Sequence, residues 1–119
     1  MLRMTYAVTF LAVLLVLAPP QAHSQVLFDG PESAVYDSIR DRYFISNADG
    51  RYIVEIDSDQ DTSVYYTAHT RLLGTVIVDD TLFVSATNKI LGFELDTDSL
   101  VISVPVTGAG ELNDVRQRQ

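Results

Sequence analysis

The sequence contains no cysteine and no tryptophan. Without cysteine the chain forms no disulfide bond, so its fold must be stabilised by burial of apolar side chains. This suits an exported protein that does without disulfides, but it is equally common among bacterial proteins, and it does not identify a compartment. The sequence also lacks a zinc-type cluster, a nucleophile elbow and a glycine-rich phosphate loop.

Positive charge is scarce as well. Eight Lys and Arg residues stand against 16 Asp and Glu residues, which gives a formal net charge of −8. An acidic surface repels phosphate backbones, so nucleic acid is not an expected partner. Because most acidic residues are scattered at strand ends and turns rather than in a tail, they are typical of solvated turns.

Long apolar runs are limited to Ala7–Ala18, which falls short of the roughly 20 residues that a membrane-spanning helix needs. Arg3 precedes the run, and small residues at −3 and −1 suit cleavage before Gln25. The pattern predicts a secretory signal peptide over residues 1–24, with a membrane anchor as the alternative. Residues 25–119 contain no further span, so we expect a secreted or periplasmic protein.

The dominant pattern in the rest of the chain is a repeat. Residues Phe44–Asp59 recur without a gap as Phe83–Asp98, 39 positions later. A unit of about 40 residues that is rich in β-branched and aromatic residues and broken by Asp, Asn and Gly turns is typical of a β-propeller blade. The identical pairs are Phe44/Phe83, Ser46/Ser85, Glu55/Glu94, Asp57/Asp96 and Asp59/Asp98.

The fold class predicted is therefore an all-β propeller fragment. Each copy should hold four antiparallel strands, with blade one at 32–67, blade two at 74–104 and the start of a third at 112–119. The first turn of the second copy is predicted to be three residues shorter, so the offset before it is 42. No helix is predicted after the signal peptide, and a plain antiparallel sandwich is the alternative fold. The predicted strands are Ser33–Asp37, Arg42–Asn47, Arg51–Asp57, Ser63–Thr67, Gly74–Val78, Thr81–Ala86, Lys89–Leu95 and Leu100–Val104.

Two blades leave an apolar face open at each end, whereas a repeat array needs about three units for stability. We therefore expect the chain to be a piece of a longer propeller, such as a truncated gene product. Self-association through the open blade faces is the other way to cover them.

Three short strings carry a family resemblance: Asp29–Ser33 (DGPES), Arg42–Asn47 (RYFISN) and Gly108–Val115 (GAGELNDV). Together they resemble the start of the gluconolactonase/regucalcin-like six-bladed β-propellers, which include the luciferin-regenerating enzymes. Propellers of the NHL and YVTN types have similar blades without catalysis, so the resemblance bears more on fold than on activity.

The resemblance implies one divalent cation, usually calcium, held by oxygen ligands at the first residues of the innermost strands. The repeat offsets make Glu32, Gly74 and Asn113 equivalent positions. By resemblance, Glu32 is a metal ligand, Asn113 contacts metal or substrate, and Asp114 belongs to the substrate site. Carboxylate and amide oxygens are ligands that Ca²⁺ and Mg²⁺ prefer. An ordinary turn or surface role is the alternative for each residue.

Other polar residues invite simpler interpretations. The Asp57/Asp59 and Asp96/Asp98 pairs have the spacing of a calcium loop, but they recur at the same turn of each copy, which favours turn capping. His69 lies in the link between the copies and has no Ser or Cys partner in a recognisable motif.

The implied activity of an intact parent is metal-dependent hydrolysis of a sugar lactone or related ester, with the cation polarising the carbonyl group. The catalytic base and the remaining ligands are not identified, so we expect the fragment to be inactive. An exported, non-catalytic propeller that binds a small ligand or a protein partner is the alternative. A broken gene without function is a third.

Overall fold

A computed structural model describes residues 28–108 and 110–118. This part of the chain is all-β and contains no helix, as predicted. Within the same residues, nothing helical is long and apolar enough to cross a membrane. The predicted signal peptide, 1–24, lies outside the described residues.

Eight strands form two four-stranded antiparallel sheets, each in sequence order. This confirms the predicted strand pairing within each copy, and the strand ends agree with the prediction to within two residues. The first sheet consists of β1 (Pro31–Asp37), β2 (Arg42–Asn47), β3 (Tyr52–Ile56) and β4 (Thr62–Thr67). The second consists of β5 (Leu72–Val78), β6 (Thr81–Ala86), β7 (Lys89–Glu94) and β8 (Ser99–Pro105).

The turns show why aspartate and glycine punctuate the sequence. Asp79 and Asp80 join β5 to β6 with φ angles of 46° and 61°, the pattern of a two-residue type I′ hairpin. Between β2 and β3 the left-handed residue is Arg51, with φ 61°, rather than Gly50. Gly50 leaves room for a neighbouring ring, since a Cβ there would lie 2.4 Å from the ring of Tyr52 and would displace it.

One face of the first sheet packs on the second sheet, and no sheet of the described chain covers the other. Its front face carries Arg42, Phe44 and Ser46 on β2, and it packs on the second sheet. Ser46 donates a hydrogen bond from Oγ to the carbonyl oxygen of Leu73 in that sheet. Because side chains alternate along a strand, Tyr43 lies on the back face, where it is 46% exposed.

The second sheet presents the opposite face to the first. Leu82, Val84 and Ala86 of β6 are fully buried, and they share one apolar cluster with Phe44 and Ile53. This is the back face of the second sheet. The alternate residues of β6, which include Phe83, lie on its front face, which no other sheet of the described chain covers.

Aromatic rings complete the contact between the sheets. Tyr65 of β4 packs edge-on against Phe44, with ring centroids 4.7 Å apart, and against Phe93 at 5.5 Å. Tyr66 also contacts Phe93, at 4.9 Å. Such pairs add to the stabilisation that their buried apolar area provides.

The segment 110–118 forms no strand, although the third copy was predicted to start there. It nevertheless lies against β5, since a Cβ on Gly74 would be 2.7 Å from both the Cα of Asp114 and the N of Val115. Arg71 anchors the segment from the second sheet through a 3.0 Å ion pair with Glu111.

Candidate functional site

The predicted site lies where the first strand of each sheet begins. Ser33 of β1 and Thr75 of β5 are in contact through their hydroxyl oxygens, 2.7 Å apart. The backbone N–H of Thr75 also donates to Oγ of Ser33 at 3.1 Å. On its other side β5 approaches the backbone of Asp114 and Val115 at Gly74. The starts of β1 and β5 and the segment 110–118 therefore lie side by side.

Glu32 lies on a β-bulge at this point. Pro31 pairs with Asn47 and Ser33 with Ser46, so Glu32 is the extra residue of β1 and has no partner in the β1–β2 register. Its side chain is exposed. Bulges bend a strand and re-aim a side chain, and they are frequent at rims and next to active sites. A ligand role for Glu32 is compatible with this local geometry.

The equivalence of Glu32 and Gly74 is corrected by the hairpin registers. Pro31 pairs with Asn47, and Leu72 pairs with Ala86, the residue 39 positions after Asn47. The true offset before the first turn is therefore 41 rather than 42, and Glu32 corresponds to Leu73.

The difference between the predicted and observed offsets arises in the turn that joins the first two strands of each sheet. Four residues, Ser38–Asp41, connect β1 to β2, whereas Asp79 and Asp80 alone connect β5 to β6. The second turn is thus two residues shorter instead of three. In both sheets the first strand is irregular at the corresponding place, so the bulge is part of the repeat.

Asn113 and Asp114 are exposed in the segment beside β5. Asp114 is paired with Arg116, whose Nε donates to its carboxylate at 2.9 Å. That hydrogen bond lowers the pKa of Asp114 below its usual value. The carboxylate is therefore charged at neutral pH and already engaged by its own segment.

The described residues hold no group of three or more His, Cys, Asp and Glu side chains arranged to bind a metal ion. Glu32 and Asn113 would thus supply two oxygen donors of the six to eight that Ca²⁺ takes. The donor type and the placement beside the strand starts suit such an ion, and the number of donors does not complete its shell.

The aspartate turns differ between the two sheets. Asp57 caps its own turn, because its Oδ1 accepts from the N–H groups of Asp59 at 2.9 Å and Asp61 at 3.0 Å. This confirms the predicted capping there. Asp98 instead bonds across to the first sheet, accepting from the hydroxyl of Tyr65 at 3.0 Å. His69 is exposed, and its carbonyl oxygen accepts a bond from Arg51.

An arginine cluster between the sheets was not predicted from the sequence. Arg42 is 8% exposed and its guanidinium lies 4.9 Å from the centre of the Phe44 ring. It contacts Glu55 at 2.8 Å in its own sheet, and Asp98 at 2.9 Å and the carbonyl oxygen of Leu95 at 2.9 Å in the other sheet. A buried arginine with this many acceptors fixes how the two sheets meet.

Arg40 forms the second half of the cluster. It contacts Asp37, Asp80 and Asp96, so it bridges the β1–β2 turn and two turns of the second sheet. The sequence contains a signal for this role. The acidic residues Asp80, Asp96 and Asp98 all have acidic counterparts 39 positions earlier, whereas the two arginines occur in the first copy alone. In the second copy Thr81 replaces Arg42, and the shorter turn omits Arg40.

The cluster shifts the pKa values of two groups. Burial would raise the pKa of Asp37, but hydrogen bonds from Arg42 and Arg40 outweigh it, so the pKa lies below its usual value. For Tyr65, burial and the hydrogen bond to Asp98 raise the pKa far above its usual value. Asp37 is therefore a charged acceptor and Tyr65 a neutral donor at physiological pH.

A groove lies at the opposite end of β1 and β5 from Glu32. It has a volume of about 480 Å³, an apolar floor that includes Val35, Val76 and Ile77, and an acidic rim at Asp79 and Asp80. An open groove of this kind could accept a small ligand with an apolar body and polar or cationic substituents.

The fold and this geometry define the class: an all-β protein of two packed, four-stranded antiparallel sheets. Comparison of the chain with protein-family models finds no match. Neither the curated proteins nor the solved structures contain a match. The gluconolactonase/regucalcin-like resemblance therefore rests on the residues of this sequence alone and stays a prediction.

Proposed function

We propose that the chain is part of an exported β-propeller of the gluconolactonase-like kind, with a cation-binding end at the starts of its first strands. The observation that carries the proposal is the side-by-side arrangement of β1, β5 and the segment 110–118, seen in the Ser33–Thr75 and Gly74–Asp114 contacts. Innermost strands that meet at their first residues around one axis are what a propeller requires.

In this proposal Glu32 and the amide oxygen of Asn113 contribute two of the oxygen donors to a divalent cation, and other residues supply the rest of its shell. When bound, the cation would polarise the carbonyl group of a lactone or ester and stabilise the negative charge that develops as water adds. Asp114, oriented by Arg116, contacts the substrate. Export through residues 1–24 would place the protein in the periplasm or outside the cell.

Cation binding tests the site directly. The full chain is titrated with Ca²⁺ by calorimetry, and with Tb³⁺ by tyrosine-sensitised luminescence. We expect Glu32→Gln to weaken binding about tenfold, because one charged ligand is lost. Glu94→Gln is the matched control, since Glu94 lies on β7 and accepts a bond from Thr97. Binding that is absent, or unchanged in Glu32→Gln, would refute the site.

Activity is a separate test. We expect no metal-dependent hydrolysis of sugar lactones by the chain alone, because two donors and no identified base do not complete a site. Turnover that disappears in Glu32→Gln would contradict the expected inactivity while supporting the assignment of Glu32. Mass spectrometry of the recovered protein tests export, with Gln25 as the expected first residue.

The groove favours a second function, a non-catalytic propeller that binds a small ligand. Val76→Arg would fill the groove and should abolish such binding without changing the affinity for Ca²⁺. A panel of sugar acids and amines, measured by thermal shift on the full chain, provides the comparison. A ligand whose effect survives Val76→Arg would rule out the groove as its site.

A further inference from the structure

We infer that copies of this chain associate head to tail, with the front face of the second sheet packed on the back face of the first sheet of the next copy. No sheet of the described chain covers either face, and on the front face the segment 110–118 lies over the start of β5 at Gly74, so the next copy has to displace it there. The inference needs only the repeat of the two sheets, and it holds whether or not Glu32 binds a cation.

The contact inside the chain shows what the free faces are built to do. The front face of the first sheet covers the back face of the second through Phe44 and the buried Leu82 and Val84. The second sheet repeats that front face, with Phe83 in the place of Phe44 and Ser85 in the place of Ser46. A second copy is therefore an occupant with the right residues at the right spacing.

The receiving face is equally apolar. Tyr43 and Ile45 stand where Leu82 and Val84 stand in the second sheet, and on this back face Tyr43 is exposed, Ile45 is partly buried and Val54 is buried. Tyr43 stacks on Tyr36 at a centroid distance of 4.7 Å, and the two rings are 46% and 45% exposed. On the donating face, Val104 of β8 is 51% exposed. Exposed rings and aliphatic side chains at matching positions identify the two halves of one interface.

Charge sets the strength of the association. Within the chain, Arg42 reaches Asp98 in the β7–β8 turn of the second sheet, and the β3–β4 turn of the first sheet carries Asp57, Asp59 and Asp61. Between copies the arginine is missing, because Thr81 occupies its place. With a net charge of −8 per chain, copies repel one another. We therefore expect association to be weak at low salt and to tighten as salt screens the repulsion.

The interface is heterologous, because the two faces that meet are different. Such contacts propagate until they close into a ring or form a filament, so they do not stop at a dimer. Sedimentation velocity of the full chain over a range of concentrations and salt should show species larger than dimers. A chain that stays monomeric at all concentrations and at high salt would overturn the inference.

Complementation of two variants tests the geometry. Tyr43→Glu places a charge on the back face of the first sheet, and Phe83→Glu places one on the front face of the second sheet. Each should raise the dissociation constant at least about tenfold. An equimolar mixture should form a 1:1 dimer and nothing larger, because each variant keeps one intact face. Failure of the mixture to dimerise, or association that Tyr43→Glu leaves unchanged, would refute head-to-tail packing.

Two controls keep the test independent of folding. Ile39→Glu changes a residue that is 74% exposed in the β1–β2 turn and lies on neither face, so it should leave association unchanged. Val104→Glu places a charge at the edge of the front face, and it takes the place of Phe83→Glu in the test if the Phe83→Glu variant does not fold. Urea unfolding of each variant establishes that it is folded before the mixture is made.

A gain of association gives the sharpest result. Thr81→Arg restores the missing arginine opposite the aspartates of the β3–β4 turn of the next copy, and it should tighten association about tenfold at low salt. It should also reverse the salt dependence, since an ion pair weakens with salt while the parent contact strengthens. Association that is insensitive to Thr81→Arg would show that the copies do not meet in the register of the internal contact.

Discussion

Phe44 and Phe83 occupy the same place in the two sheets, 39 residues apart, yet Phe44 is fully buried and Phe83 is only partly buried. The residues around them differ, because Arg42 in the first sheet is Thr81 in the second, and Glu55 lies opposite Phe44 whereas Gly92 lies opposite Phe83. The first sheet has the second sheet in front of it, whereas among the described residues only the segment 110–118 lies in front of the second sheet, at β5. The repeat therefore sets which side chains can form a core, and the sheet that packs in front of them decides which of them are buried.

The largest expected difference between the sheets lies in the two phenylalanines. Phe44→Ala removes a ring that contacts Tyr65 and the second sheet, and it should lower the free energy of unfolding by about 4 kcal/mol. Phe83→Ala should cost about 1 kcal/mol, because the ring keeps part of its contact with water. Urea unfolding of both variants measures the difference. Equal losses would mean that Phe83 is covered in solution, as head-to-tail association also requires at high concentration.

The arginine cluster gives the next effect. Arg42→Met keeps the apolar stem but leaves Asp98 and Glu55 without the guanidinium, and it should cost about 3 kcal/mol. Thr81→Met at the equivalent position of the second sheet should change stability by no more than about 0.5 kcal/mol. A double-mutant cycle with Asp98→Asn isolates the contact between the sheets. A coupling energy near zero would show that Arg42 acts within its own sheet only.

Gly74 and Ser33 occupy equivalent places and meet their neighbours differently. Ser33 bonds to Thr75 through its side chain, whereas Gly74 admits the backbone of Asp114. Gly74→Ala should therefore displace the segment 110–118, at a cost of about 1 to 2 kcal/mol. Hydrogen exchange should show faster exchange in that segment. Gly110→Ala is the control, because a Cβ there meets nothing within 4 Å.

The smallest effect is a change in the pH dependence of stability. Arginine contacts hold the pKa of Asp37 below its usual value, so its stabilisation is complete above the pKa of the unfolded chain. That stabilisation is lost as the pH falls through the lower pKa of the folded state. Asp37→Asn should flatten the loss of stability that sets in as the pH falls below about 4. The equivalent residue of the second sheet, Val78, has no titratable side chain. If Asp37→Asn leaves the loss of stability at low pH unchanged, that loss comes from other groups.

Much of the fold could be predicted from local pattern. Alternating apolar residues and Asp or Gly turns placed all eight strands, because a half-buried strand must alternate and a tight turn needs left-handed residues. The predicted offset at Glu32 was wrong by one residue because it aligned Asp37 with Asp79, two aspartates at the ends of similar strands. The strand registers align Asp37 with Val78, so the second turn is shorter by two residues.

The candidate site was less predictable than the fold. Sequence spacing could propose Glu32 and Asn113, but the approach of Asp114 to Gly74 depends on how one strand lies beside the next. The pairing of Arg42 with Asp98 joins residues that are 56 positions apart. No periodicity links such residues, because an ion pair across two sheets follows from their packing and not from the pattern along either strand.

Local sequence patterns specify the strands, the turns and the repeated module, because side-chain alternation and backbone preference act within a few residues. The packing of the two sheets accounts for the burial of Arg42 while Thr81 faces outward, and for the full burial of Phe44 while Phe83 is partly exposed. Burial depends on the surface that comes to lie opposite, and that surface belongs to a part of the chain distant in sequence.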